Sequence, residues 1–131
     1  MAALNERTAP PVAAIMQRAL ITTHPLQLLS EAQEIMKREG IRQLPVLDNG
    51  ALIGLLSKSD LQAHSGYLGK TKVDAAMSTD LITAHPDDDA ACIARLLLEK
   101  KLNALPVVDS GRLIGIVSRT DLLKLLLRLF E

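Results

Sequence analysis

The chain contains two copies of one sequence, placed 61 positions apart. Residues 12–61 align with residues 73–122 without a gap, and 19 of the 50 aligned pairs are identical. Chance gives about three or four identities at ordinary residue frequencies. One copy of roughly 60 residues buries too little surface to be comfortably stable alone. The repeat therefore predicts two small units that pack on each other rather than two independent domains.

Composition limits the partners of the chain. Of its 131 residues 48% are hydrophobic and 23% are charged, which is typical of a folded protein. Fifteen basic residues balance fifteen acidic ones, and Tyr67 and Phe130 are the only aromatic residues. Without a positive field or aromatic stacking surfaces, we expect no nucleic-acid partner. The apolar runs are shorter than the roughly 20 residues of a membrane span, and the single Cys92 excludes an intramolecular disulfide, so we expect a cytoplasmic protein without membrane insertion.

Each copy has the sequence pattern of the same elements, in the order β-α-β-β-α. A short β-type run ends at a His-Pro pair, and apolar residues at helical spacing then predict an amphipathic helix. A Leu-Pro-Val run and an apolar return strand flank an Asp-x-Gly turn, which predicts a β-hairpin, and a serine starts a second helix. The positions are 20–23 and 81–84 for the first strands; Leu29, Ala32, Ile35, Met36 and Ala90, Ile93, Leu96, Leu97 for the helices; 44–56 and 105–117 for the hairpins; and Ser57 and Ser118.

Both amphipathic helices carry signals at their ends. Three acidic residues at 87–89 precede the second of them, where carboxylates cap the first turn and oppose the helix dipole. Gly40 follows the first of them as a C-terminal cap. Cys92 lies on the second helix and is expected to be a small buried apolar residue.

The repeat also sets the predicted domain limits. We expect an N-terminal extension at 1–11, the first repeat at 12–64, a linker at 65–72 and the second repeat at 73–131. The predicted class is α+β of the α/β type, with two β-α-β-β-α repeats packed sheet to sheet about a pseudo-two-fold axis. Such packing creates symmetric clefts between the copies.

The main candidates for function are the Ser-x-x-Asp segments at 57–60 and 118–121. A hydroxyl, a carboxylate and free backbone N–H groups at a helix start suit a ribose and a phosphate. An ionised carboxylate can accept hydrogen bonds from both ribose hydroxyls, while the adjacent Lys58 or Arg119 can approach phosphate oxygens. The same pattern is also a capping box that needs no ligand. The residues alone leave both interpretations open.

The segments Gly-Leu-Leu-Ser-Lys-Ser-Asp at 54–60 and Gly-Ile-Val-Ser-Arg-Thr-Asp at 115–121 carry a family resemblance. Each follows a Leu-Pro-Val strand and an Asp-x-Gly turn, and together they resemble tandem cystathionine-β-synthase (CBS) domains over about residues 12–126. The resemblance implies that an adenosine-containing ligand binds in the cleft between the repeats. It assigns ribose and phosphate to Ser57, Lys58, Asp60, Ser118, Arg119 and Asp121; the base to Ile21, Thr22, Leu55, Ile82, Thr83 and Ile116; and possible further phosphate contacts to Arg42 and Lys101.

The two copies differ at the possible phosphate contacts. Arg42 aligns with Asn103, and Lys101 aligns with Gly40. We therefore expect the two sites to differ in ligand preference. Solvated surface charge is the alternative interpretation of Arg42 and Lys101, and core packing is a compatible interpretation of the aliphatic residues.

The predicted function is a non-catalytic sensor of AMP, ADP, ATP or S-adenosylmethionine that signals to a partner by changing the angle between repeats or chains. No cofactor is required, and the sequence does not identify the regulated partner. The alternative is a ligand-free dimerisation or docking module. This alternative also covers a chain that is one part of a larger protein. No Ser/His/Asp set, glycine-rich phosphate loop or zinc signature occurs, and His24, His64 and His85 lack metal-ligand spacing, so we expect neither an enzyme nor a metal site.

The run at 122–130, Leu-Leu-Lys-Leu-Leu-Leu-Arg-Leu-Phe, is too apolar for a fully solvated helix. It is also too short and too charged to span a bilayer. Similar proteins dimerise through helices that flank the sheets. We therefore expect a homodimer with an isologous interface.

Overall fold

The computed structural model describes residues 9–18 and 20–131. The described chain forms two compact units. The first unit is Ile21–Leu81, and the second unit combines the described residues up to Leu20 with Ile82–Glu131. The units are thus offset from the sequence copies, since the first residues of each copy belong to the unit built mainly from the other copy. Most of the predicted N-terminal extension, residues 1–8, lies outside the described residues.

The first unit holds two helices and one antiparallel hairpin. Its hairpin pairs Leu44 with Leu56 and bends at a β-bulge after Val46. The tight turn is confirmed: Asn49 and Gly50 both have positive φ, at 51° and 83°, which is the backbone of the primed turns that join hairpins. The elements are α1 (Leu29–Glu39), β1 (Gln43–Asp48), β2 (Ala51–Ser57), α2 (Lys58–Ala63) and a 3₁₀ turn at Val73–Ala75.

The second unit repeats this arrangement. Its hairpin has the same register and the same bulge, after Val107. Its elements are a 3₁₀ turn at Val12–Ala14, α3 (Ala90–Lys100), β3 (Ala104–Asp109), β4 (Arg112–Ser118) and α4 (Arg119–Arg128). The predicted α+β class, both hairpins and all four helices are confirmed.

The regular strand predicted before each His-Pro pair is wrong. Only one residue of each segment pairs with the hairpin, as a parallel bridge. In the first unit, Thr23 N donates to Pro45 O at 3.0 Å and Thr23 O accepts from Leu47 N at 2.9 Å. The next bond of a parallel ladder would come from the amide of Pro25, which has no hydrogen, so the pairing stops. The bridge at Ala84 ends in the same way in the second unit.

The predicted helix stripes form the core of each unit. The α1 residues Leu29, Ala32 and Met36 are buried against the hairpin of the first unit, and the corresponding face of α3 is buried in the second. Burial of each large aliphatic side chain contributes roughly 1.5–3 kcal/mol. Asp89 caps α3 as predicted, because its Oδ1 accepts from the amide of Ala91 at 2.7 Å. The expected burial of Cys92 is wrong, since its position on α3 faces solvent.

The C-terminal caps of α1 and α3 lead to a stability prediction. Gly40 and Lys101 end these helices in the same left-handed conformation, with φ of 65° and 55°. Only glycine adopts this conformation without a steric cost from Cβ. We expect Lys101→Gly to raise the free energy of unfolding by about 0.5–1 kcal/mol in urea denaturation. Gly40→Lys is the matched reverse change and should lower it by about 1 kcal/mol. A destabilised Lys101→Gly variant would contradict this explanation.

Candidate functional site

Both Ser-x-x-Asp segments form capping boxes. In the first unit, Ser57 begins α2 with its own amide donating to Asp60 Oδ2 at 2.7 Å. The Ser57 hydroxyl donates to the same oxygen at 2.9 Å and accepts from the Asp60 amide at 3.2 Å. Among the described residues, no side chain or backbone donor bonds Asp60 Oδ1. The capping box therefore fixes the carboxylate through one oxygen and leaves the other available.

The second unit has the same box with one added contact. Asp121 Oδ2 accepts from the Ser118 amide at 2.8 Å and from the Ser118 hydroxyl at 3.0 Å. Its Oδ1 accepts from the side-chain amide of Gln17, Nε2, at 2.8 Å. Asp121 is only 4% exposed, whereas Asp60 is partly exposed. The two carboxylates thus stand at equivalent positions of the repeat, but among the described residues only Asp121 has hydrogen bonds to both of its oxygens.

A short backbone bridge lies beside each capping box. Gln17 exchanges two backbone hydrogen bonds with Ile116, at 2.8 and 3.0 Å, and Ser78 exchanges two with Leu55, both at 3.0 Å. Gln17 and Ser78 are equivalent positions of the repeat, and so are Ile116 and Leu55. The bridge brings residue 17 or 78 to the strand that leads into the capping box. This is the element that places Gln17 within reach of Asp121.

Glycine is required in the bridged strands because the bridge approaches them closely. A Cβ added at Gly115 would lie 2.9 Å from Gln17 O and 2.6 Å from Met16 Sδ. A Cβ at Gly54 would collide in the same way with the Met77 side chain. The glycine that begins each Gly-x-x-Ser-x-x-Asp segment therefore makes room for the bridging segment of the same unit.

The predicted phosphate-binding residues are not equivalent. Lys58 and Arg42 line one surface depression of about 440 Å³ in the first unit together with Lys37, and the lining of this depression does not include Ser57 or Asp60. Lys58 corresponds to Arg119, whose side chain bonds backbone carbonyls of its own unit. There the guanidinium donates to Leu102 O at 2.8 Å and Leu97 O at 3.3 Å, at the end of α3.

Lys101 is exposed and serves as the C-cap of α3. The carbonyl oxygens bonded by Arg119 belong to the same helix end, where a positive charge opposes the helix dipole. Arg119 and Lys101, the two predicted phosphate contacts of the second unit, thus have structural roles next to α3. Arg42 and Lys58, the predicted phosphate contacts of the first unit, are both exposed.

The predicted base-binding residues divide between the units. In the first unit Ile21 packs against the core, Thr22 is partly buried and Leu55 is at the bridge to Ser78. In the second unit Ile82 packs against the core, Thr83 is exposed and Ile116 is at the bridge to Gln17. Their predicted pairing across the two copies stays a prediction.

Gln17 is the residue that sequence reasoning missed. Its only signal in the sequence is a difference between the copies, since Gln17 aligns with Ser78 directly after the identical pair Met16 and Met77. Within residues 9–18 and 20–131 there is no group of three His, Cys, Asp or Glu side chains that could hold a metal ion. No helix in that part of the chain is long and apolar enough to cross a membrane.

Two bulged hairpins, each leading through a Gly-x-x-Ser-x-x-Asp segment into a capped helix, define a tandem CBS pair. The CBS domain profile matches the chain twice, at residues 12–65 and 73–128, and the chain belongs to the CBS domain family. The CBS domain-containing protein YhcV of Bacillus subtilis is 32% identical over 110 residues, covering 82% of this chain and 79% of YhcV. A longer relative, homoserine O-acetyltransferase of Methanococcoides burtonii, is 32% identical over 93% of this chain, which spans only 25% of that protein.

Solved structures show the same fold. The CBS domain pair of protein MJ0100, in complex with 5′-methylthioadenosine and S-adenosyl-L-methionine, superposes with a TM-score of 0.84 at 28% identity and covers 90% of this chain and 96% of its own. CBSX2 in complex with AMP superposes with a TM-score of 0.83 at 29% identity, covering 94% of this chain and 100% of its own. Similar CBS pairs thus bind ligands that contain adenosine.

Proposed function

We propose that this chain is a regulatory module that binds an adenosine-containing ligand through Asp60 and transmits binding to a partner by a conformational change. The observation that carries the proposal is the state of the Asp60 carboxylate. Ser57 holds Oδ2 at 2.7 and 2.9 Å, while no described residue donates to Oδ1. A preorganised carboxylate with one unused oxygen is suited to accept hydrogen bonds from ribose hydroxyls.

The proposed contacts to the base and the phosphate are considered relative to Asp60. Leu55 lies five residues before Asp60 on the bridged strand and would offer an apolar surface to the base. Lys58 and Arg42 are exposed, but they line a depression whose lining does not include Ser57 or Asp60, so the proposal rests on the ribose contact and not on a phosphate contact. AMP and S-adenosylmethionine are the first ligands to test because relatives bind them, and ADP and ATP share the same adenosine.

Thermal unfolding with and without ligand tests the proposed function. A ligand that binds only the folded chain stabilises it by RT ln(1 + [L]/Kd), about 2.7 kcal/mol at 100 times Kd. We expect AMP or S-adenosylmethionine at millimolar concentration to raise the Tm by several degrees. Guanosine monophosphate is the control for a general anion effect. If none of AMP, ADP, ATP and S-adenosylmethionine moves the Tm, a ligand-free docking module becomes the better description.

The second unit carries an apolar face that supports the proposed homodimer. Leu123, Leu126 and Leu127 follow one another at i, i+3 and i+4 on α4 and are 60%, 49% and 65% exposed. On α3, Leu98 is 66% exposed. We propose that this face meets the same face of a second chain across a two-fold axis, because a patch of this kind is costly in water.

The first unit is polar at the equivalent positions. Lys37, Gln62 and Ser65 replace Leu98, Leu123 and Leu126, and all three polar residues line the depression described above. The same helix surface is therefore polar in the first unit and apolar in the second. A dimer through the second unit leaves the first unit's helix face in solvent.

Substitution of the apolar face tests the dimer. We expect wild-type protein at tens of micromolar to have twice the mass of one chain in light scattering. The triple variant Leu98→Lys, Leu123→Gln, Leu126→Ser should have the mass of one chain and keep its circular dichroism, because the exposed side chains make few contacts in the folded chain. Gln62→Ala on the first unit is the control and should remain dimeric. A monomeric wild type, or a dimeric triple variant, would contradict the proposed interface.

A further inference from the structure

The two capping-box carboxylates differ in how many of their oxygens are occupied. Asp121 accepts three hydrogen bonds that use both oxygens, two from Ser118 and one from Gln17. Asp60 accepts two, both on Oδ2 and both from Ser57. The oxygen that a ribose would use is therefore filled by the protein in one unit and unfilled, among the described residues, in the other.

The difference has a single-residue origin. Gln17 and Ser78 stand at the same position of the repeat and form the same two-bond bridge to Ile116 and Leu55. The backbone geometry is thus shared, and only the side chain changes. The glutamine amide reaches Asp121 Oδ1 at 2.8 Å, whereas the serine side chain ends at Oγ and has no hydrogen bond to Asp60.

We propose that Gln17 is a specificity-determining residue that closes the second carboxylate to ribose, so that each chain binds one adenosine ligand, at Asp60. This inference rests on the proposed function. A ribose hydroxyl at Asp121 must first displace an amide donor from a charged acceptor that is only 4% exposed. Bonds to charged groups are among the stronger hydrogen bonds in proteins, so the competition lowers affinity there at least tenfold.

The repeat supplies a reciprocal pair of variants. Gln17→Ser gives the second unit the residue of the first, and Ser78→Gln gives the first unit the residue of the second. Isothermal titration with AMP, and with S-adenosylmethionine in a parallel series, measures the number of sites and each Kd. Asp121→Asn, titrated in the wild-type and Gln17→Ser backgrounds, identifies which carboxylate any added site uses. Circular dichroism of each variant verifies folding.

We expect wild type to bind one equivalent per chain and Asp121→Asn to leave that binding within about twofold of wild type. Gln17→Ser should add a second equivalent that Asp121→Asn removes, and Ser78→Gln should weaken the original site at least tenfold. Two equivalents of similar Kd in wild type overturn the role of Gln17 but leave the proposed function standing. Binding of neither ligand by wild type and by Gln17→Ser overturns the proposed function itself. If Gln17→Ser fails to fold, Ser78→Gln and Asp121→Asn decide the inference in the same way.

Discussion

Asp60→Asn is expected to lower the affinity for AMP at least tenfold while the protein stays folded. The carboxylate makes charge-assisted hydrogen bonds to ribose hydroxyls in the proposed complex, and removing such bonds costs roughly 1.5–3 kcal/mol. The folded state loses less. Asparagine keeps an oxygen that can accept from the Ser57 amide and is itself a good capping residue, so the free energy of unfolding should fall by about 1 kcal/mol or less. Isothermal titration and urea denaturation of the same preparation measure the two effects.

Asp121→Asn is the matched control for Asp60→Asn. It alters an identical capping box in the second unit, where Gln17 already occupies the second oxygen. Its effect on AMP affinity should stay within about twofold, while its stability cost should exceed that of Asp60→Asn because the carboxylate is buried and makes an extra bond. Equal loss of affinity in both variants, or no loss in Asp60→Asn, contradicts the proposed role of Asp60.

Gly115→Ala is expected to lower the free energy of unfolding by about 1–3 kcal/mol, the usual range for overpacking a filled site. The new Cβ would lie 2.9 Å from Gln17 O, a backbone atom that also accepts the Ile116 amide at 3.0 Å. The Met16 side chain can move aside by changing rotamer, but the Gln17 carbonyl can retreat only if the backbone of the bridge moves. Gly54→Ala places a Cβ against the flexible Met77 side chain, with the backbone oxygen of Ser78 farther away at 3.1 Å, and should cost less than Gly115→Ala.

Gly69→Ala separates crowding from the general cost of replacing a glycine. A Cβ there meets no atom within 4 Å, so the change should alter stability by less than about 0.5 kcal/mol. Urea denaturation of the three alanine variants gives the comparison. Similar stability for all three would show that the bridges do not pack against these glycines as described.

The repeat made most of the fold predictable. Because the copies align without a gap, each hairpin or helix recognised in one copy is also predicted in the other. Turns and caps, such as the Asn49-Gly50 turn and the Gly40 cap, depend on a few adjacent residues and can be recognised from the sequence. The first strands could not be read in the same way. A β-type run before His-Pro is compatible with a full strand, and only the ladder geometry reveals that Pro25 must end the pairing after one residue.

The candidate site was predictable as a pattern and not as a set of contacts. Ser-x-x-Asp predicts both a cap and a ligand carboxylate, and the structure contains both caps. The Gln17 contact joins residues 104 positions apart, beyond the reach of any local rule. Arg119 likewise turns to carbonyls at the end of α3, although its neighbours in sequence gave it the same expected role as Lys58.

A crystal structure of the chain with AMP, at about ten times the Kd, tests the central claim most directly. We predict AMP with its ribose hydroxyls within about 3 Å of Asp60 Oδ1, which is ordinary hydrogen-bond distance. Ser57 should still hold Oδ2, and Gln17 should still hold Asp121. AMP bound without contact to Asp60, for instance in the depression lined by Lys37, Arg42 and Lys58, would contradict the claim.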